Sequence, residues 1–316
     1  MHFTTTIPIK KADSPIDYNS RILSLGSCFA ENMAEKLEYF KFENSVNPFG
    51  ILFHPVAINE SIKRAVFNRT FIEADLVFHN EQWHCLEVHS NLSNASKEEL
   101  LVNLNALLKF TNDQIRSATH IIITYGTAWV YRHKISDSIV ANCHKIPQSQ
   151  FDKEILSIDA IEKAINETIR GIHAVNPLAE IIFTVSPVRH IKDGFVENQR
   201  SKSHIIVGLH KVFTDLSEHV NYFPSYEIMM DELRDYRFYG GDMLHPSQIA
   251  IDYIWEQFSA NWIASTAFAL MKEIDTIQKS LLHRPFNQES ASHRQFELKL
   301  QNKIAAVQKQ LPKVQF

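Results

Sequence analysis

The stretch LSLGSCFAENMAEKL, residues 23–37, changes period at a single glycine. Before Gly26, Arg21-Ile-Leu-Ser-Leu25 is a short apolar run suited to a buried strand. After it, Phe29, Met33, Ala34 and Leu37 recur at the spacing of one helix face. Gly26-Ser27-Cys28 therefore reads as a strand-to-helix turn. Such a turn sets the Ser27 hydroxyl and the Cys28 thiol at a helix N-terminus, whose free N–H groups favour negative charge.

The same alternation of strands and helices continues outward. His120-Ile-Ile-Ile-Thr-Tyr125 and Glu180-Ile-Ile-Phe-Thr-Val185 are strong strand signals, and Val220-Asn-Tyr-Phe223 is a weaker one. Helical spacing is read over residues 97–110, 158–174 and 196–214, and again after Pro246. Continuous Ile/Val/Leu strands separated by helices predict a parallel sheet covered on both faces. Residues 70–90 predict a β-hairpin turning at His79-Asn80, and residues 44–55 a loop packed on the core. After residue 262 the chain turns to Lys, Gln, Glu and Leu at helical spacing. The division expected is a domain over 1–262 and a helical extension over 263–316, the latter offering a surface for a homo-oligomer.

Composition narrows the partners. The chain has 316 residues, is 45% hydrophobic and carries a net charge of −4 without a long Lys/Arg run, which argues against nucleic acid. The N-terminal residues lack a secretory apolar segment, no window approaches a membrane span, and three scattered cysteines fit a reducing compartment. A cytoplasmic protein with neither nucleic acid nor membrane as partner is expected. No His-x-x-x-His or Cys-x-x-Cys pair occurs. Cys85, Glu87 and His89 could share one strand face, but neither a metal nor another cofactor is expected. Cys85 and Cys143 read as small core hydrophobes.

Only eight glycines occur, and five of them, Gly26, Gly50, Gly126, Gly240 and Gly241, fall in short polar motifs. In a doubly wound sheet, ligands bind beyond the carboxyl ends of the strands. The segments after the predicted strands, at Gly26-Ser27-Cys28, Tyr125-Gly126-Thr127, Ser186 to His190 and Pro224 to Pro246, should converge on one rim. Asp242 and His245, three residues apart, can share a face of a turn, so that the carboxylate orients the imidazole as a general base for a nucleophile. Ser27 as a plain N-cap and Asp-x-x-His as plain helix capping are the competing readings.

GSCFA at 26–30, NPFG at 47–50, TYGTAWVY at 124–131, SPVRH at 186–190 and DMLHPS at 242–247 together resemble the GSCFA-domain proteins, a bacterial family grouped with the SGNH/GDSL hydrolases. The resemblance implies a three-layer α/β/α sandwich with a mostly parallel, flavodoxin-like sheet, a β-hairpin insertion and C-terminal helices. It also implies an esterase or acyltransferase acting on an O-acyl ester or thioester, with a small molecule or carbohydrate as substrate. Asp242 and His245 would be the base pair. Laid over Gly-Asp-Ser, the nucleophile falls on Cys28, with Ser27 at the Asp; shifted by one residue, it falls on Ser27. Cys28 is favoured, because a helix N-terminus and His245 would activate its thiol.

Gly26, Asn47, Gly50, Gly126 and Thr127 would shape the oxyanion and binding site. Arg189 and His190 would either bind an anionic part of the substrate or cap the neighbouring helix. The third-block Asn of SGNH enzymes is missing, so a Thr127 hydroxyl or a backbone N–H must replace its amide. A catalytically inactive module binding a sugar or acyl ligand is the alternative that this departure allows.

Overall fold

The computed structural model describes residues 5–215, 219–287 and 289–316. Its centre is a five-stranded parallel sheet built from β1 (Arg21–Gly26), β2 (Glu43–Val46), β5 (His120–Tyr125), β9 (Glu180–Val185) and β10 (Val220–Phe223), in the order β10-β9-β5-β1-β2. Counted along the chain within this sheet, that order is 2-1-3-4-5, the flavodoxin-like arrangement.

Strand alternation sorts the core into two layers. Leu23, Leu25, Ile121, Ile123, Tyr125, Ile181, Phe183 and Val185 face one side. There they meet α2 (Pro55–Val66), α3 (Lys97–Ser117), α4 (Ile158–Val175) and α5 (Phe195–Asp215). Ile22, Ile122 and Ile182 face the other side and pack on Phe29, Met33 and Leu37 of α1 (Cys28–Tyr39) and on Ile254, Trp255, Phe258 and Trp262 of α7 (Gln248–Trp262). Between β10 and α7 the chain makes a short helix, α6 (Ser225–Glu227). Beyond α7, α8 (Phe268–Leu281) and α9 (Ala291–Gln310) join through Ile274, Ile277, Leu300 and Val307.

The expected hairpin is present: β3 (Leu76–His79) pairs antiparallel with β4 (Gln82–Cys85), and Asn80 and Glu81 take positive φ at the turn. Two features depart from the sequence reading. Residues 43–46 are an edge strand rather than loop, and β6 (Trp129–His133), β7 (Ser138–Val140) and β8 (Phe151–Ile155) form a separate antiparallel sheet of order β7-β6-β8. This small sheet rises directly after the Gly126 motif. Cys85, Glu87 and His89 do not gather: the Glu87 carboxylate accepts from Arg64, and the His89 ring lies against Asn91.

Candidate functional site

The five sequence motifs meet at the carboxyl edge of the parallel sheet through a chain of short contacts. Gly26 takes φ +131°, and a Cβ there would stand 2.1 Å from the Thr124 carbonyl oxygen. Only glycine lets β1 turn this close to β5. The Ser27 N–H donates to Thr124 O at 3.0 Å, and the Gly26 N–H donates to Asn47 Oδ1 at 2.8 Å. Asn47 thus clamps the turn, and its own amide reaches Glu31 of α1. Gly126 lies against the Ser27 side chain: a Cβ there would be 3.2 Å from both Ser27 Cβ and His190 Nε2. The Ser186 N–H donates to Tyr125 O at 2.8 Å, and the Arg189 N–H donates to Leu244 O at 3.1 Å. That last bond ties the loop after β9 to the Asp242–His245 loop.

Asp242 and His245 form the expected pair. His245 Nδ1 lies 2.6 Å from Asp242 Oδ2, while Asp242 Oδ1 accepts the N–H groups of Leu244 at 2.9 Å and His245 at 3.0 Å. These backbone donors, then the imidazole, hold the Asp242 carboxyl well below the usual carboxylate range. Bonding through Nδ1 leaves His245 Nε2 free of Asp242. Among the described residues, no hydrogen bond joins it to Ser27 or Cys28.

Ser27 and Cys28 have different surroundings. Ser27 is fully buried, and its Oγ has no partner and does not cap α1. The Cys28 side chain is partly open to solvent. Burial, followed by the Glu31 carboxylate, pushes its thiol up from the ordinary value, against the Lys202 ammonium and the N–H groups of Phe29 and Cys28 itself. Activation of the resting thiol by the helix end and His245, expected from the sequence, is not what this environment provides. Cys28 rests as the protonated thiol.

The expected oxyanion donors are already engaged. The N–H of Gly50 donates to Asn47 O, and those of Gly126 and Thr127 both donate to Phe53 O. The Thr127 hydroxyl lies 3.0 Å from Ser201 Oγ and accepts from the Trp129 N–H. These groups build the turns around the site. Arg189 reaches Gln199, and the His190 N–H donates to Asn198 Oδ1.

The sequence reading missed a polar stripe on α5. Asn198, Ser201 and Lys202 occupy one face, and all three are buried. Lys202 is fully buried, donates to Gly126 O at 2.7 Å and Ser186 O at 2.6 Å, and so bridges the ends of β5 and β9 under the site. Desolvation brings its ammonium down to about 7. Asn198 Nδ2 and His190 Nε2, like Ser27 Oγ, are buried without a partner. Burial, with Lys202 and then His245 nearby, pushes the His190 ring down to about 3, so it stays neutral. The signal was available: 198, 201, 202, 205, 209 and 212 follow the inward helical spacing of α5 and begin with Asn, Ser and Lys.

A flavodoxin-like parallel sheet covered by helices on both faces, with the first strand-to-helix turn and an Asp–His pair on one rim, defines a three-layer α/β/α protein. The chain belongs to the GSCFA family, whose model matches residues 21–258, and residues 274–316 match the C-terminal domain of GSCFA domain proteins. Among solved structures, an acetyl xylan esterase, Est2A, from the rumen bacterium Butyrivibrio proteoclasticus aligns at 13% identity and a TM-score of 0.35. The alignment covers 88% of this chain and 66% of that enzyme. No curated protein matches the chain. Among the described residues, no helix is long and apolar enough to cross a membrane.

Proposed function

We propose that this chain is an ester or thioester hydrolase, or the corresponding acyltransferase, that works through Cys28. The observation that carries the reading is the preformed Asp242–His245 pair, bonded through Nδ1 at 2.6 Å and tethered by the Arg189–Leu244 bond to the loop beside Gly126. Cys28 is the nucleophile of this reading because the residue is partly open to solvent, whereas Ser27 and its Oγ are buried.

Proton transfer from the Cys28 thiol to His245 Nε2 accompanies attack of the sulfur on the carbonyl carbon. Asp242 holds the resulting imidazolium. The alcohol departs with the proton from His245, and water or a second alcohol then cleaves the acyl-thioester. The developing oxyanion takes the N–H of Cys28 at the start of α1. Contact between His245 and Cys28 is required of the substrate complex, where catalytic hydrogen bonds commonly tighten.

The raised Cys28 thiol and the engaged N–H groups favour a second reading, a binding module without turnover. Iodoacetamide and fluorophosphonate labelling, with the site mapped by mass spectrometry, separates the two on wild type, Cys28→Ala, Ser27→Ala and His245→Ala. The hydrolase requires p-nitrophenyl acetate turnover that is lost in both Cys28→Ala and His245→Ala, with label on Cys28 rather than Ser27. Labelling without turnover refutes it in favour of the module.

A further inference from the structure

Beside the reacting groups lies a cleft of about 620 Å³, within the range of small-ligand sites, that the mechanism above does not use. It begins at Phe53 and His190, the two side chains that also press on Gly126, at 3.3 and 3.2 Å from where a Cβ would stand. The antiparallel β6-β7-β8 sheet forms its far wall, and Trp129 and Tyr131 of β6 present their rings to it. A cleft that starts at the side chains packed on Gly126 and runs along β6 is placed to hold the part of a substrate that does not react.

Its charge is unlike that of the protein. In a chain of net charge −4, the lining holds Lys145, Lys153 and Lys192 against Asp193 alone. Lys153 pairs with Asp193 and lies over both rings, 5.3 Å from the Trp129 centroid and 5.5 Å from that of Tyr131. Lys192 stands 5.9 Å from the Tyr131 centroid. Among the described residues, neither Lys145 nor Lys192 has a carboxylate partner. Two uncompensated ammonium groups beside a Trp–Tyr wall make a combined apolar and cationic surface. A sugar-like ring can lay its C–H face on the aromatics while an acidic substituent reaches the lysines.

We infer that this cleft binds an anionic, ring-bearing moiety, a sugar-sized ring carrying a carboxylate or phosphate. Resting on the proposed hydrolase, the inference makes such a ring the non-reacting part of the ester. The test is calorimetric titration of the full-length Cys28→Ala protein, in which binding is read without turnover. The probes are glucuronate, glucose 6-phosphate and glucose, used against the Cys28→Ala background alone, with Lys145→Glu/Lys192→Glu added, and with Trp129→Ala added.

At least one anion is expected to bind about tenfold or more tightly than glucose, and to weaken about tenfold in the double Glu variant and at high salt. Trp129→Ala should weaken anion and glucose together. The tighter of the two anions identifies the acidic group. Equal binding of glucose and both anions, no binding of either anion, or anion affinity unchanged by the double Glu variant overturns the inference. Absent turnover in wild type refutes the hydrolase separately, because these titrations do not depend on it.

Discussion

Lys202 makes the protein's stability depend on pH in a calculable way. Its amine is fully buried and its pKa falls from 10.5 in the ordinary side chain to about 7 in the fold. Between those values the unfolded chain binds a proton that the native chain does not, so stability rises with pH. At about 1.4 kcal/mol per pH unit, and with half-titration near pH 7, the wild type gains roughly 2 kcal/mol from this group between about pH 7 and about pH 8.5. The neutral amine keeps two N–H groups, enough to retain both bonds, to Gly126 O and Ser186 O.

Lys202→Met removes the titration and also strips both carbonyls of their donor. Relief of a buried charge and loss of two hydrogen bonds, each worth about 1–3 kcal/mol when a buried group is left unpaired, roughly cancel near pH 7. Urea unfolding followed by circular dichroism should find wild type and Lys202→Met similar near pH 7, and the variant about 2 kcal/mol worse relative to wild type near pH 8.5. Taking the difference cancels the drift from every other group. Lys202→Arg, which cannot deprotonate, should also lack the rise. Parallel stability curves for wild type and Lys202→Met over that interval would refute a Lys202 that is neutral in the fold.

Gly26→Ala would force a side chain into φ +131° and to within 2.1 Å of Thr124 O, against backbone that also receives the Ser27 N–H. A loss of about 2–4 kcal/mol is expected from strain plus a broken hydrogen bond, and a urea midpoint within error of wild type would contradict it. Asp242→Asn should lower kcat by about 10²–10⁴. Because the Asp242 carboxyl is held below the usual range, it is ionised at neutral pH, and a kcat within about tenfold of wild type would remove it from its role of holding the His245 imidazolium. Asn198→Ala takes away the acceptor of the His190 N–H and should cost about 1–3 kcal/mol in urea unfolding, and an unchanged midpoint would contradict it.

What was legible in the sequence is what side-chain period encodes. The runs at 21–25, 120–125 and 180–185 alternate between two cores, so their apolar continuity already stated that both faces are covered. Asp-x-x-His was equally legible, because three residues along a turn bring a carboxylate to an imidazole with no long-range information. The engagement of the expected oxyanion donors was not legible, for the opposite reason. Whether the N–H of Gly126 or Thr127 is free depends on where the Phe53 carbonyl lies, over seventy residues away in the chain, and no local pattern records that.

The same asymmetry explains Lys202. A lysine in a helix reads by default as solvated surface, and only its phase relative to Ile205, Leu209 and Val212 marks it as inward. An ammonium placed there costs stability below neutral pH, and its two bonds hold the Gly126 and Ser186 turns together at the sheet's edge. Desolvation of Lys202 and of the Cys28 thiol therefore arise from one packed interior at the sheet's edge. The site's electrostatics are a consequence of how α5 is docked, so variants along the inner face of α5 should alter Cys28 reactivity without touching the GSCFA turn.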